Sequence, residues 1–282
     1  MLKIFSLYIL LFNMSISHLS NEELLKTYQP VLYLHEKEEI SPMSFENYIK
    51  DCELYSNDKL LLKTHTITLP LNKTFNNCSN KQLNYKGIYV KPQQNVINSI
   101  PIYGKVIKNS EYIDIIYMFF YPYNKGYKIF KFFNVGQHQA DLEYVIVRVN
   151  IKSKLIDKIY YSAHSDEDQI YNYNDINFIV DRITPIIYVA KNSHANYNKP
   201  KTYCRIFGFV NDITTHENSI VWKSKNIIDL DKNKYILSYD GKLGFNAVDS
   251  FNRRKFLNNN MFVNHKNPTC CFRFCLPFSY LE

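Results

Sequence analysis

From residue 60 onward the chain is a succession of short apolar segments separated by turn residues, with no recurring helix-length crossover between them. Such segments run at Thr64 to Leu69, Gly87 to Val90, Ile100 to Val106, Tyr112 to Tyr121, Asp141 to Val149, Leu155 to Ser162, Pro185 to Ala190, Cys204 to Val210 and Tyr235 to Tyr239. Each is rich in β-branched or aromatic residues and has the length of a strand. A parallel doubly wound sheet would need helical crossovers of about a dozen residues. The pattern therefore excludes that architecture and predicts a mainly β protein, an antiparallel β-sandwich with a few short helices. Ser20-Asn21-Glu22-Glu23 before Leu24 and Leu25 offers an Asx or Ser start for a short helix that ends near Tyr28-Gln29-Pro30, with Val31 to Leu34 as the first strand. Phe45, Tyr48 and Ile49 at helical spacing predict a second helix over Ser44 to Asp51, and Ile176, Ile179, Val180 and Ile183 predict another over Ile176 to Ile183.

The chain has 282 residues and is 46% hydrophobic, which is enough for a real core, and its 24 Tyr and 19 Phe favour strands over helices. At the N-terminus Lys3 precedes an apolar run from Ile4 to Phe12, and Ser15 and Ser17 supply small residues two apart before His18. This is the pattern of a signal peptide over 1–17, too short to span a bilayer comfortably, and no later segment reaches the roughly 18 to 20 apolar residues a transmembrane helix needs. The expected destination is the secretory pathway, extracellular or luminal and vacuolar. Six cysteines entering an oxidising compartment are expected to pair: Cys52, Cys78, Cys204, Cys270, Cys271 and Cys275, with Cys52 to Cys78 the preferred bridge. Asn72 and Asn77 stand in glycosylation sequons. The net charge of +8 suits anionic partners, yet the lysines are dispersed and no nucleic-acid motif appears. With only seven glycines there is no Gly-rich phosphate loop.

The chemistry concentrates in Gly136-Gln137-His138-Gln139-Ala140-Asp141-Leu142-Glu143, which runs directly into the strand Tyr144 to Val149. Because strand side chains alternate, Asp141 and Glu143 share a face with Val145, Val147 and Val149. Two acids at the end of an apolar stripe require a neutralising partner. A divalent cation held by His138, Asp141 and Glu143 is the simplest one: oxygen donors favour Ca²⁺ or Mg²⁺, and imidazole also admits Mn²⁺ or Zn²⁺. His164, with Asp166 beside it, and His194 also stand at strand ends, so convergence of those ends would add them to a ligand-binding rim.

Gly-x-His-x-x-Asp-x-Glu before a valine-rich strand resembles the central motif of the vacuolar protein sorting-associated protein 62 family. Further blocks resemble that family in the same order: Tyr28 to His35 with Pro42, Phe119 to Asn124, Tyr161 to Ser165, and Pro185 to Tyr197. The resemblance implies a β-sandwich domain over 18–225, followed by a C-terminal extension over 226–282 that carries the cysteine cluster and packs on the sandwich. A local likeness to the Gly-His-Arg-His-Asp-Trp-Glu heptapeptide of necrosis- and ethylene-inducing-like proteins puts His138, Asp141 and Glu143 on residues that help hold a divalent cation there. Ala140 replaces that family's second His, Leu142 its Trp, and Asn124 is the nearest polar substitute for a further acidic ligand.

The reading that unites these features is a secreted or luminal sandwich with a divalent-cation site, binding a polar ligand such as a glycan or a membrane-lipid head group. Ser162 and Ser193 lack a nucleophile-elbow motif, so nothing forces catalysis. Two alternatives stay open, a metal-dependent hydrolase of phosphoesters or glycans and a purely structural secreted or surface protein.

Overall fold

The computed structural model describes residues 15–67, 81–129, 133–163, 169–179, 182–205, 210–233 and 241–244, and within them the protein is mainly β. The helices Asn21–Thr27 (α1) and Phe45–Lys50 (α2) flank strand Val31–Leu34 (β1). Ser20 caps α1 by accepting from the Glu23 amide, while the Glu23 carboxylate accepts from the Ser20 amide, so two otherwise orphaned N–H groups are satisfied. Cys52–Ser56 (β2) and Lys59–Leu62 (β3) form a hairpin through Asn57 and Asp58, both left-handed, and Lys81–Tyr85 (β4) pairs with β2. A short helix, Gln94–Ile97 (α3), leads into Ile102–Lys108 (β5) and Tyr112–Asn124 (β6). After the small pair Tyr127–Ile129 (β7) and Phe133–Val135 (β8) come His138–Asn150 (β9), Ile156–Tyr161 (β10) and Gln169–Asn172 (β11). The chain continues through Ile186–Val189 (β12), Asn196–Tyr197 (β13), Thr202–Arg205 (β14), Val210–Ile213 (β15), Ile220–Trp222 (β16) and Ile227–Asp229 (β17).

The centre of the molecule is a six-stranded sheet in the order β11-β10-β9-β6-β5-β17, antiparallel except where β17 runs parallel to β5. Its two long strands, β6 and β9, pair over most of their length. On one face Ile115, Tyr117, Phe119, Val145, Val147 and Val149 pack against Leu32, Leu34, Ile187, Val189 and Trp222 of a four-stranded sheet, β13-β12-β1-β16. On the other face Ile116, Met118, Phe120, Ile146 and Tyr160 meet α2 and the three-stranded sheet β3-β2-β4 through Phe45, Tyr48, Leu54 and Leu83. The sandwich thus carries a third layer, and the continuous apolar run of β6 follows from burial on both faces. Each fully buried side chain of this size contributes roughly 1.5–3 kcal/mol. The one charge in that run, Asp114, is matched across the strand pair by Arg148, which gives it two hydrogen bonds of 2.7 Å and covers the Tyr112 ring at 3.6 Å.

Several sequence expectations are corrected. Gly87 to Val90 and the described part of Thr64 to Leu69 are not strands; the pairing there belongs to β2, β3 and β4. The described residues of Ile176 to Ile183 form no helix: Phe178 bridges to Pro185, and Ile176 and Ile183 reach the core from irregular chain. Independently of those corrections, Ile16 is 0% exposed in the main core, and Lys108 donates to the carbonyls of Ser17 and Leu19. β17, just beyond residue 225, pairs into the central sheet beside β5. Cys52 stands as a free, wholly buried thiol. It lies on β2 among Tyr48 and Leu54, where burial pushes its ionisation far up. Cys204 is half-buried on β14. Cys78, Cys270, Cys271 and Cys275 lie outside the described residues, as do Asn72, Asn77 and the strand expected at Tyr235 to Tyr239. Among the described residues no helix is long and apolar enough to cross a membrane.

Candidate functional site

β6 and β9 end together, with Tyr121 opposite Asp141, Tyr123 opposite Gln139 and Asn124 opposite His138. On a regular strand His138 and Asp141, three residues apart, would point to opposite faces. Ala140 breaks the alternation with a left-handed backbone, φ 57°, and His138 turns back so that its Nε2 faces Asp141 Oδ1 at 3.7 Å. Asp141 is 5% exposed, and its Oδ2 accepts from Asn124 Nδ2 at 3.1 Å and bonds His194 Nδ1 at 2.8 Å. Asn124 also donates to the Ser193 carbonyl, which ties β6 to the loop between β12 and β13. That loop is itself contorted, with Asn192 at φ 67° and His194 at φ 55°.

His194 is completely buried between two carboxylates. Its Nε2 lies 3.6 Å from Glu38 Oε1, and its ring stacks on Tyr121 at 3.8 Å and 3°. Burial alone would drive the imidazole to its neutral form, but Glu38 and Asp141 outweigh it and push its pKa up to about 9. Burial likewise works to raise Glu38, yet His194 and the amides of Asn192 and Ile40 prevail and hold its carboxyl below the usual carboxylate range. The Glu38 oxygens accept from the amides of Glu39, Ile40 and Asn192 at 2.8, 2.9 and 2.7 Å. At neutral pH the cluster is thus an imidazolium shared by two carboxylates. Around it, the Tyr121 hydroxyl and His194 Nε2 are buried without a hydrogen-bond partner. Burial first, then the charges of Glu38, Asp141 and Glu143, holds Tyr121 in its neutral form.

Glu143 shares the core-facing side with Asp141, as alternation requires, and accepts from the Ser162 hydroxyl. Ser162 in turn accepts from the Tyr144 amide and from Asn196. A second buried carboxylate, Asp212, sits behind the same loop and accepts from Ser193, Tyr127 and Tyr197 hydroxyls, with Arg205 Nε at 4.0 Å. Desolvation there, with Asp212 beside them, pushes both tyrosine hydroxyls far up.

The structure therefore brings Asn124, His138, Asp141 and His194 together, with Glu143 two residues along the same face. His164 and Asp166 lie outside the described residues. His138, Asp141 and Glu143 do not converge as a cage: among the described residues no group of three His, Cys, Asp or Glu side chains is arranged to hold a metal ion. His194 supplies a neutralising charge for Asp141, while Glu143 accepts from the Ser162 hydroxyl. Sequence reasoning missed Glu38 and Asp212, whose chain positions carry no motif signal, and Tyr121, which reads as one more aromatic of the β6 run.

Fold and site together define a layered β-sandwich protein whose central strands end in a buried, charged polar network under a half-exposed rim. The chain belongs to the vacuolar protein sorting-associated protein 62 family, whose model matches residues 11–240. No curated protein matches it by sequence. Among solved structures it is similar to NLPPya in complex with mannosamine, at 14% identity and a TM-score of 0.46, over 86% of this chain and 91% of that one. It is also similar to a structure described as a toxin fold for microbial attack and plant defense, at 15% identity and a TM-score of 0.43, over 79% and 83% of the two chains. A third is necrosis and ethylene inducing protein 2 from the causal agent of cocoa's witches' broom disease, at 10% identity and a TM-score of 0.40, over 77% and 80%.

Proposed function

We propose that the protein is a non-catalytic binding module of the secretory route that takes a hydroxyl-rich polar ligand, a glycan or a glycosylated head group, at the mouth where β6 and β9 end. One observation carries this reading. Three non-glycine residues in the left-handed region, Ala140, Asn192 and His194, surround one buried charged network in which the Tyr121 hydroxyl has no hydrogen-bond partner. Each such residue stores about 1–2 kcal/mol of strain, and stored strain of this kind gathers at functional sites. Hydroxyls that both donate and accept suit a rim made of carboxylates, imidazoles and amides. A panel of immobilised mono- and oligosaccharides tests it: the wild-type chain binds a subset, and Asp141→Asn loses that subset at a temperature where circular dichroism shows both proteins folded. Equal binding by the variant would contradict the reading.

A second reading keeps a divalent cation, favoured by the open 3.7 Å approach of His138 Nε2 to Asp141 Oδ1 and by Glu143 on the same face. A cation there would supply charge that bridges protein donors to ligand hydroxyls. Elemental analysis of purified protein decides it, since stoichiometric Ca²⁺, Mg²⁺, Mn²⁺ or Zn²⁺ that disappears in Asp141→Asn supports the ion and metal-free protein removes it. Ser162 and Ser193 donate to carboxylates rather than to an imidazole, which is not the nucleophile and base arrangement of acyl transfer. Turnover of chromogenic esters or glycosides that vanished in Glu143→Gln would replace the binding reading with a hydrolase.

A further inference from the structure

Above the buried network the rim carries its own charge. Lys125 follows Asn124 directly, and its amide donates to the Asn192 carbonyl at 3.1 Å; Lys191 precedes Asn192, and its amide donates to Ile213 at 3.1 Å. Both lysines are therefore anchored to the loop that carries His194. Glu39 follows Glu38 and donates its amide to the Glu38 carboxylate at 2.8 Å. The ammonium of Lys125 bonds the Glu39 carboxylate, and the two side chains are 35% and 39% exposed. Lys91 is brought to this side by the bond from the Ser41 amide to the Val90 carbonyl, 2.7 Å. Lys125 first, through its hydrogen bond, and then Lys191 and Lys91 hold the Glu39 carboxyl below the usual carboxylate range. Three ammonium groups thus act on one carboxylate at the lip of the site.

We propose that the rim recognises a sugar bearing an anionic group, with Lys125 and Lys191 reading the charge and Glu39 standing in for the ligand's anion. The inference rests on the reading that a polar ligand binds at this mouth. An exposed lysine–glutamate pair is worth only about 0.2–1 kcal/mol, so an arriving carboxylate, sulfate or phosphate can replace Glu39 at little cost. A phosphate or sulfate offers several acceptor oxygens and can engage two lysines at once, which one carboxylate on a tethered side chain does less well. The hydroxyls of the same sugar would then reach towards His138 and Asp141.

The test is titration of the full chain at low ionic strength with glucose, glucose 6-phosphate, glucuronate and inorganic phosphate. The expected result is that glucose 6-phosphate and glucuronate bind about tenfold tighter than glucose. That preference should shrink to about twofold in a Lys125→Gln, Lys191→Gln double variant and grow in Glu39→Gln, a single surface change that leaves the fold intact. Equal affinity for glucose and its anionic relatives overturns the proposal while the binding reading stands. Inorganic phosphate binding as tightly as glucose 6-phosphate also overturns it, because the site would then take a bare anion. Failure of the anionic and neutral sugars alike, together with a blank saccharide panel, overturns the underlying reading.

Discussion

Ala140 is the residue on which the site turns. Its left-handed backbone, φ 57°, puts His138 and Asp141 on one side of a strand whose alternation would separate them. A β-branched side chain tolerates that conformation poorly, so Ala140→Val should lower unfolding free energy by about 2 kcal/mol and detach His138, whereas Ala140→Gly should stay within about 1 kcal/mol of wild type. Chemical denaturation of the three proteins checks this. His194 makes the complementary prediction. Replacing it with Phe leaves Glu38 and Asp141 buried without their cation, which should cost about 3–5 kcal/mol. Its folded pKa of about 9 lies above the unfolded value of 6.5, so the stabilisation is complete below about pH 6.5 and is lost as pH rises through 9. Glu38, held below its usual range, adds the opposite limb and withdraws stability as the solution becomes strongly acidic. Melting temperature against pH, measured after exhaustive chelation, should therefore fall on the alkaline side in the wild type and lose that fall in His194→Phe.

At the level of elements, β6, β9 and β10 were legible because period-two patterning and β-branched content survive wherever a strand is paired on both sides. α1 was legible from its polar start at Ser20 and Asn21 and α2 from its apolar spacing. The sequence misled where the same apolar residues reach the core from irregular chain. Ile176 and Ile183 have helical spacing yet enter the core without a helix, since nothing in spacing distinguishes a helix face from a strap laid across a sheet. The β2–β3 hairpin was missed because Lys59–Leu62 is an exposed edge with no alternation to detect. In the site, Asp141, Glu143 and the valines were placed correctly by pleat alone. The Glu38–His194–Asp141 contact was not, because it joins loops 53 and more residues apart that only the layered topology brings together. Ile16 carries the prediction at this scale. Its side chain is sealed into the core, so Ile16→Ala should cost about 2–5 kcal/mol in denaturant titration of the full chain.

The whole molecule is a central sheet covered on both faces, and that construction explains how it can hold strained, charged residues at one end. Two apolar cores fix β6 and β9 over twelve paired positions, so the ends of those strands are rigid enough to impose left-handed backbone on Ala140 and, through Asn124, to hold the β12–β13 loop. The buried imidazolium is tolerable for the same reason: its two carboxylates and the Tyr121 ring are set by strands and tight turns that cannot relax away from it. The most direct measurement is calorimetric titration of the strongest saccharide from the panel into wild-type and Asp141→Asn protein, each held well below its own melting transition. The account predicts at least a tenfold loss of affinity in the variant. Unchanged affinity would contradict it, leaving the network as a strut of the fold with no part in binding.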